Sequence, residues 1–196
     1  EITRFRLESG GPEHSSAQAD TIIQKEPISI SAAQSWTGTT GPGGGFYKSN
    51  GTLVATVTLT QGGPAATFKA VGFKQTIPSG WTLVSGSVGG SNPPQTTSGN
   101  TGTLSFAWFT IPTFPVSFTF SVRPDTSGLG TACFRDGQCL YRLDEGELSS
   151  NIIPEKCLEE FPCLEMEREA PAYYAMGQNL TLTVKLTNSC LSPVTA

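Results

Sequence analysis

The feature that most constrains this chain is a strand pattern that occurs twice. Residues 46–61 align without a gap on residues 173–188. Each copy opens with two aromatic residues, passes through a polar stretch that contains glycine, and continues with alternating apolar and polar positions, many of them threonine. Alternation with a period of two is typical of a β-strand that buries one face. Both segments are therefore predicted to be strands of a sheet.

The two copies agree on which side chains face inward. Leu53, Ala55, Val57 and Leu59 of the first copy align with Leu180, Leu182, Val184 and Leu186 of the second. A strand left alone in water would expose such side chains together with an unpaired backbone edge. We therefore expect the C-terminal strand to dock against a sheet.

Three docking modes are open to this strand. It can fold back on its own domain, it can open a further domain, or it can add a strand to a neighbouring subunit. The third mode is favoured, because the N-terminal segment also has strand-like apolar positions at Ile2, Phe5 and Leu7. Two strand-like ends would give a head-to-tail contact, and a contact of this kind that does not close makes a filament.

The middle of the chain predicts an all-β fold. Leu104, Phe106 and Trp108 alternate with polar residues, as do the apolar positions between Val116 and Val122. Gly- and Pro-rich turns separate such runs at regular intervals, as in an immunoglobulin-like or cohesin-like β-sandwich. The predicted organisation is an N-terminal arm with a possible strand, a sandwich domain, an acidic cysteine-containing connector and a C-terminal strand that is a possible donor strand. Their bounds are 1–30, 31–153, 154–172 and 173–196.

Charge excludes several classes of partner. The net charge is -4 and no basic stripe is present, which argues against a nucleic-acid partner. No apolar run approaches the roughly 18 residues of a membrane-spanning helix, so no membrane insertion is expected. Nine acidic residues crowd into Asp144–Glu169. They lack the regular ligand spacing of a calcium loop, so a solvated segment is expected, with no metal and no cofactor.

The five cysteines indicate an oxidising, extracellular setting. Thr131–Leu143 is predicted to form a hairpin around Arg135–Gly137. A three-residue loop would place Cys133 opposite Cys139 and allow a cross-strand bond, whereas a two-residue loop, Asp136 and Gly137, disfavours it. We expect the pairs Cys133–Cys139 and Cys157–Cys163 rather than a crossed pairing. Cys190 is then free, or bonds another subunit.

No constellation of catalytic residues stands out. His14 is the only histidine and lies in the polar arm. Asp144, Glu145 and Glu147 are interpreted as a solvated loop rather than as a carboxylate pair. The sequence has no phosphate-binding loop and no dinucleotide fingerprint. The chain is therefore predicted not to be an enzyme.

Two further features bear on surface function. Several aromatic residues are candidates for a sugar-stacking platform, although core packing is the expected role for most of them; they are Trp36, Trp81, Trp108, Tyr47, Tyr173 and Tyr174. Trp36, in a loop-like stretch, is the best candidate for ligand contact. Asn50 and Asn179 each begin an acceptor sequon for N-glycosylation.

Several phrases resemble a family of bacterial and archaeal secreted β-sandwich surface repeats of cohesin-like or immunoglobulin-like fold. The phrases are Ile77–Trp81, Leu104–Trp108, Pro115–Phe120, Leu140–Leu143, Gly146–Leu148 and Arg168–Gln178. The resemblance covers roughly residues 28–153 and 168–188. It implies a sandwich fold at a cell surface and brings no shared catalytic residues.

The functional hypothesis is a structural subunit of an extracellular filament or surface layer. Its partners would be copies of itself, joined head-to-tail by β-strand exchange through Leu180, Leu182, Val184 and Leu186, with Ile2, Phe5 and Leu7 at the other end. The alternative is a carbohydrate- or protein-binding sandwich module of a larger secreted surface protein, with glycans or surface polysaccharide as partners.

Overall fold

The computed structural model describes residues 26–126, 128–144, 146–161, 164–169, 176–177, 179 and 183–188. In these ranges the chain forms β-strands and one short 3-10 turn, and no α-helix. The strands are β1 (Ser29–Thr37), β2 (Phe46–Tyr47), β3 (Leu53–Gly62), β4 (Ala70–Thr76), β5 (Trp81–Leu83), β6 (Gly89–Gly90), β7 (Thr96–Ser98), β8 (Thr103–Trp108), β9 (Val116–Pro124), β10 (Ala132–Leu143), β11 (Gly146–Ser149), β12 (Lys156–Glu160), β13 (Leu164–Glu169) and β14 (Thr183–Asn188).

The strands form three sheets. The first sheet has the order β1-β3-β9-β5, and β6 also pairs with β9. The second has the order β2-β12-β10-β4-β8-β7, and β11 also pairs with β10. These strands pair antiparallel, except for a short parallel contact between β12 and β2. The third sheet contains β13 and β14 alone. The predicted all-β sandwich is confirmed.

The core lies between the first two sheets and is rich in aromatic residues. The predicted alternation places Phe118 and Phe120 of β9 inward, and both are fully buried. The Phe118 ring lies 5.6 Å from that of Phe73 and 5.3 Å from that of Trp108, on the facing sheet. Trp81 contacts Phe134 across the same interface at 5.2 Å. Edge-to-face pairs of this kind add to the stabilisation from burial.

Strands β1 and β3 form a regular antiparallel pair at one side of the first sheet. Their register is continuous over nine residues, and Ala32 lies opposite Leu59. Both residues point into the core, where they are 6% and 0% exposed. The opposite face carries mainly serine and threonine. The outer edge of β1 is partly covered, because the Asn151 side chain accepts a hydrogen bond from the Ala32 N–H (2.8 Å) and donates one to the Ala32 carbonyl (3.0 Å).

The predicted hairpin around Arg135–Gly137 is wrong. β10 runs without a break through this sequence, and the register with β4 shifts between Arg135 and Gln138, which marks a β-bulge. Two residues of β10, Asp136 and Gly137, stand there against the single residue Gln75 of β4, and Asp136 has a φ of 55°. A bulge uses the same turn-forming residues without reversing the chain. The Gln75 amide donates to the Arg135 carbonyl at 2.9 Å and helps to hold the bulge.

The sandwich extends past its predicted end at residue 153. β12 lies within the predicted connector, yet it pairs with β10 and β2 in the second sheet. Leu158 of β12 is 1% exposed and belongs to the core. Phe161 continues this contact, because its N–H donates to the Tyr47 carbonyl at 2.7 Å and its ring lies 5.9 Å from that of Phe46. Within the described ranges no helix has the length and apolar character needed to cross a membrane.

Candidate functional site

The surface that distinguishes this molecule is the ribbon formed by β13 and β14. The two strands pair antiparallel over six residues, and Met166 lies opposite Leu186. Successive side chains of a strand point to opposite faces, so Met166, Val184 and Leu186 share one face with Arg168. No further strand pairs with either member of the ribbon in the described part of the chain.

The two faces of the ribbon differ in chemistry. Met166 is 70% exposed, Leu186 59% and Val184 52%, so the apolar face lies open to solvent. The opposite face carries Glu167 and Lys185, whose charged groups approach to 3.8 Å. Both side chains of this ion pair are exposed, so the pair adds little stability. We call the first face the apolar ribbon face.

The predicted contact residues are only partly covered by the structure. Val184 and Leu186 lie on the apolar ribbon face, as their alternation predicts. The other members of that set, and two cysteines, lie outside the described residues: Leu180, Leu182, Ile2, Phe5, Leu7, Cys163 and Cys190. The sequence reasoning missed β13, whose alternation of Leu164, Met166 and Arg168 is hidden among acidic residues.

The predicted cysteine pairing is wrong. Cys133 is bonded to Cys157. The two residues are opposite each other in the register of β10 and β12. Cys139, the predicted partner of Cys133, is instead a free buried thiol. Burial raises the pKa of this thiol from 9.0 to about 12, because the thiolate would lose its hydration.

The sandwich offers no metal centre or catalytic pair in the ranges described. Cys133, Cys157 and Glu155 bring potential ligand atoms close together. The two sulfur atoms are bonded to each other, however, and so are not available as thiolate ligands. Asp144 forms an exposed ion pair with Lys69 at 3.2 Å, as expected of a solvated loop. His14 and Glu145 lie outside the described residues.

Core packing, the role expected of most of the candidate aromatic residues, is what the structure shows for those that it describes. Tyr47, Trp81 and Trp108 are buried. Trp36, the favoured candidate, packs on the core with its ring 4.3 Å from that of Phe134. Tyr173 and Tyr174 lie outside the described residues. The indole and phenol groups of the described residues therefore serve packing.

The second sheet carries a shallow depression, and an exposed aromatic residue follows one of its strands. Leu140, Gly72 and Ala107 lie in one row across β10, β4 and β8. These residues line the depression, and Arg142 and Glu147 lie on its border. Phe109, two residues after Ala107, is 79% exposed. We call this depression the outer trough. The sequence feature that marks the outer trough is the presence of small residues at alternate positions of β4 and β8.

The first predicted sequon lies at an accessible place. Asn50 is exposed and occupies a turn in which the Gly51 N–H donates to the Lys48 carbonyl at 2.8 Å. Asn179, which begins the second sequon, is also exposed. Both amide groups are thus reachable from solvent.

No protein-family model and no curated protein matches the sequence. The fold is similar to that of the full-length major pilin SpaD from Corynebacterium diphtheriae, with 10% identity, a TM-score of 0.43, and 71% of this chain and 36% of that chain covered. It is also similar to the T6 backbone pilin of serotype M6 Streptococcus pyogenes, with 9% identity, a TM-score of 0.48, and 95% and 52% covered.

A third similar structure is the collagen binding domain of the Erysipelothrix rhusiopathiae surface protein RspB. The identity is 13% and the TM-score 0.38, with 82% of this chain and 58% of that chain covered. The chain thus spans between about a third and six tenths of the length of these structures. Identities and TM-scores this low transfer neither a ligand nor a mode of assembly.

Proposed function

We propose that this protein is a structural subunit of an extracellular filament or surface layer, and that the β13–β14 ribbon joins it to a neighbour by strand complementation. The observation that supports the proposal is the apolar ribbon face. It presents three large side chains to solvent on a unit of only two strands. A two-stranded ribbon is at best marginally stable in water without a sheet or another layer against it.

The energetics favour a partner for this face. Fully burying a side chain of the size of methionine or leucine is worth about 1.5–3 kcal/mol. Covering Met166, Val184 and Leu186 together offsets part of the cost of association, and the edge of β14 on which no described strand pairs can add main-chain hydrogen bonds. The disulfide between Cys133 and Cys157 suits an oxidising environment outside the cell.

The mass of the full chain in solution tests the proposal. We expect assemblies larger than a monomer by size exclusion with light scattering, and we expect Leu186→Asp to dissociate them, because it places a charge in the apolar contact. Thr187→Asp is the matched control, since it adds the same charge on the opposite face of the same strand. Equal assembly by Leu186→Asp and the unchanged chain would contradict the proposal.

Cys190 gives the same assembly a covalent option. Because Cys157 is bonded to Cys133, the predicted partner of Cys163 is taken and neither Cys163 nor Cys190 has a predicted one. Cys190 would bond its counterpart or Cys163 of a neighbouring subunit. We expect boiled non-reducing gels to show a covalent species that Cys190→Ser removes. A covalent species that persists in Cys190→Ser would assign the bond to another cysteine.

The outer trough supports a second candidate function, a carbohydrate- or protein-binding module. Its small apolar floor and the charged residues Arg142 and Glu147 offer apolar contact and hydrogen bonding, and the exposed ring of Phe109, two residues after Ala107, is a candidate for stacking. A monomeric protein that is retained on a polysaccharide column, and released by Phe109→Ala or Ala107→Leu, would favour this function. Retention unchanged by both variants would exclude the outer trough as its site.

A further inference from the structure

We infer that the β13–β14 ribbon repeats the β1–β3 pair of the sandwich, and that the strand that completes it along β14 is of the β9 type. This inference goes beyond the proposed function, because it describes the strand that completes the ribbon rather than the molecule that supplies it. It names the chemistry of the partner: a strand with large apolar side chains on one face and hydroxyl side chains on the other.

The strand pairing in the ribbon corresponds to the pairing of β1 with β3. In the sandwich, β1 pairs with β3 so that Ala32 faces Leu59. In the ribbon, β13 pairs with β14 so that Met166 faces Leu186. Leu186 is the residue that the sequence repeat aligns with Leu59. The sequence repeat relates β14 to β3. The pairing relates their partner strands in the same way, so β13 takes the place of β1.

The equivalence holds along the whole ribbon. The pairs from Leu164–Asn188 to Glu169–Thr183 correspond one by one to those from Ile30–Gln61 to Ser35–Thr56. A slip of one residue in either strand would exchange the faces. With β14 aligned on β3, this register sets Leu164 and Met166 in the places of Ile30 and Ala32, so the apolar positions of β13 fall on the same face as those of β1.

The faces of the two units agree as well. Ala32, Val57 and Leu59 are buried in the sandwich core at 6%, 0% and 0% exposure. Their equivalents are the three residues of the apolar ribbon face, which are exposed. The other face carries small hydroxyl residues in β1 and β3 and mostly charged or hydroxyl residues in the ribbon, as a solvent-facing surface requires. The two units therefore differ in whether another layer covers their apolar face.

One partner of the β1–β3 pair has no counterpart at the ribbon. β3 is an inner strand and pairs on its far side with β9, where Val57 lies opposite Phe118 and Leu59 opposite Val116. β14 has no strand on its far side in the described part of the chain. By equivalence, Val184 is expected opposite a residue of the Phe118 type and Leu186 opposite one of the Val116 type.

The connection between the strands also fits an independent second unit. From Ser35 to Thr56 the chain runs 21 residues, and from Glu169 to Thr183 it runs 14. The missing length corresponds to the Gly-rich segment around the 3-10 turn Pro42–Gly44. Repeats of one fold usually tolerate a change of loop length while the register of their strands is kept.

Register-specific cross-linking tests the inference on the full chain. The probe is a synthetic peptide with the sequence of residues 115–124, added to a chain that carries Val184→Cys, Cys163→Ser and Cys190→Ser. A peptide with Phe118→Cys places its thiol opposite residue 184, whereas a peptide with Thr119→Cys turns its thiol to the other face. We expect a disulfide with the first peptide and about tenfold less with the second, because adjacent residues of a strand face opposite ways.

A second readout keeps the test independent of cysteine chemistry. Binding of the fluorescently labelled, cysteine-free peptide should be lost in Leu186→Asp and kept in Thr187→Asp, while the unfolding transition of the sandwich stays unchanged in both. Equal cross-linking of the two peptides, or equal binding by the two variants, would overturn the inference.

The outcome separates this inference from the proposed function. If Leu186→Asp abolishes assembly but the peptide does not bind, the ribbon joins subunits through some other surface and the inference fails alone. If the peptide pairs in register while the full chain is monomeric, the ribbon binds a β9-type strand, but a second copy of the chain does not supply it. The proposed self-assembly then fails alone.

Discussion

Cys133 of β10 and Cys157 of β12 lie opposite each other on neighbouring strands and are joined by a disulfide. The bond closes a loop with a sequence separation of 24 residues and holds β12 in the second sheet. In the chain-entropy model, a loop of this length corresponds to about 3 kcal/mol of stabilisation, because the unfolded chain loses freedom. We expect Cys133→Ala combined with Cys157→Ala to lower the free energy of unfolding by about that amount in urea denaturation.

The control for this prediction is the unchanged chain under reducing conditions, which should match the double variant. Cys139→Ala should leave the sensitivity to reductant intact, since Cys139 is a free thiol. A double variant as stable as the oxidised protein would show that the strand pairing of β12, without the bond, is sufficient.

The side chain of Asn151 acts as a substitute strand at the edge of β1. Its amide accepts from and donates to the backbone of Ala32, as a neighbouring strand would. We expect Asn151→Ala to destabilise the protein by about 1–2 kcal/mol, since each net hydrogen bond contributes about 1 kcal/mol. Hydrogen exchange should show faster exchange of the Ala32 amide in particular.

Asn151→Asp is the matched variant for this contact. It keeps an oxygen for the Ala32 N–H and removes the donor to the Ala32 carbonyl. We expect a loss of stability at least as large as for Asn151→Ala, because the second carboxylate oxygen faces the Ala32 carbonyl oxygen, together with an Ala32 amide that remains protected. Equal exchange in all three proteins would mean that Asn151 does not protect this edge.

The sequence predicted those parts of the fold that depend on local alternation. The inward positions of β3, β8 and β9 follow a period of two, and the structure buries them as expected. Features that depend on distant pairing were missed. Asp136 and Gly137 carry a turn signal that a bulge also satisfies, and the partner of Cys133 is set by the register between β10 and β12.

The sequence predicted one of the two strands of the ribbon. The repeat identified β14, because its residues resemble those of β3. β13 does not resemble β1 in composition: Glu167 stands where β1 has Ala33, and Met166 where it has Ala32. The correspondence inferred between β13 and β1 depends on the pairing register, and a register is a property of two segments rather than of one.

Asn50 is expected to accept a glycan when the chain is secreted by a cell that performs N-glycosylation. The residue is exposed on the turn closed by Gly51 and Lys48, and Thr52 completes the sequon. Intact-mass measurement should show a glycan that peptide N-glycosidase removes. Asn50→Gln and Thr52→Ala should each abolish that mass increment.

Asn179→Gln distinguishes the second sequon in the same experiment. If both sites are used, each single variant should lose one glycan and the double variant both. A mass increment that survives in Asn50→Gln with Asn179→Gln would show that the modification lies on another residue type.

The buried thiol of Cys139 should make the protein sensitive to alkali. Its pKa is raised from 9.0 to about 12 by desolvation, whereas in the unfolded chain the thiol ionises near its ordinary value. The unfolded state therefore releases a proton at a lower pH than the folded state. The stabilisation from the neutral thiol is complete below about pH 9 and declines as the pH rises toward about 12.

Cys139→Ala should flatten this decline in urea denaturation across that range of pH. Tyr47 contributes in the upper part of the same window, since burial, with nearby Glu160, raises its pKa from 10.0 to about 12. Tyr47→Phe is therefore the companion variant, although it also loses the hydrogen bond from the Tyr47 hydroxyl to the Gly130 carbonyl. Alkylation supplies an independent check: because only the thiolate reacts, Cys139 should be labelled after unfolding and spared in the folded protein. Rapid labelling of folded Cys139 near neutral pH would contradict the burial from which both expectations follow.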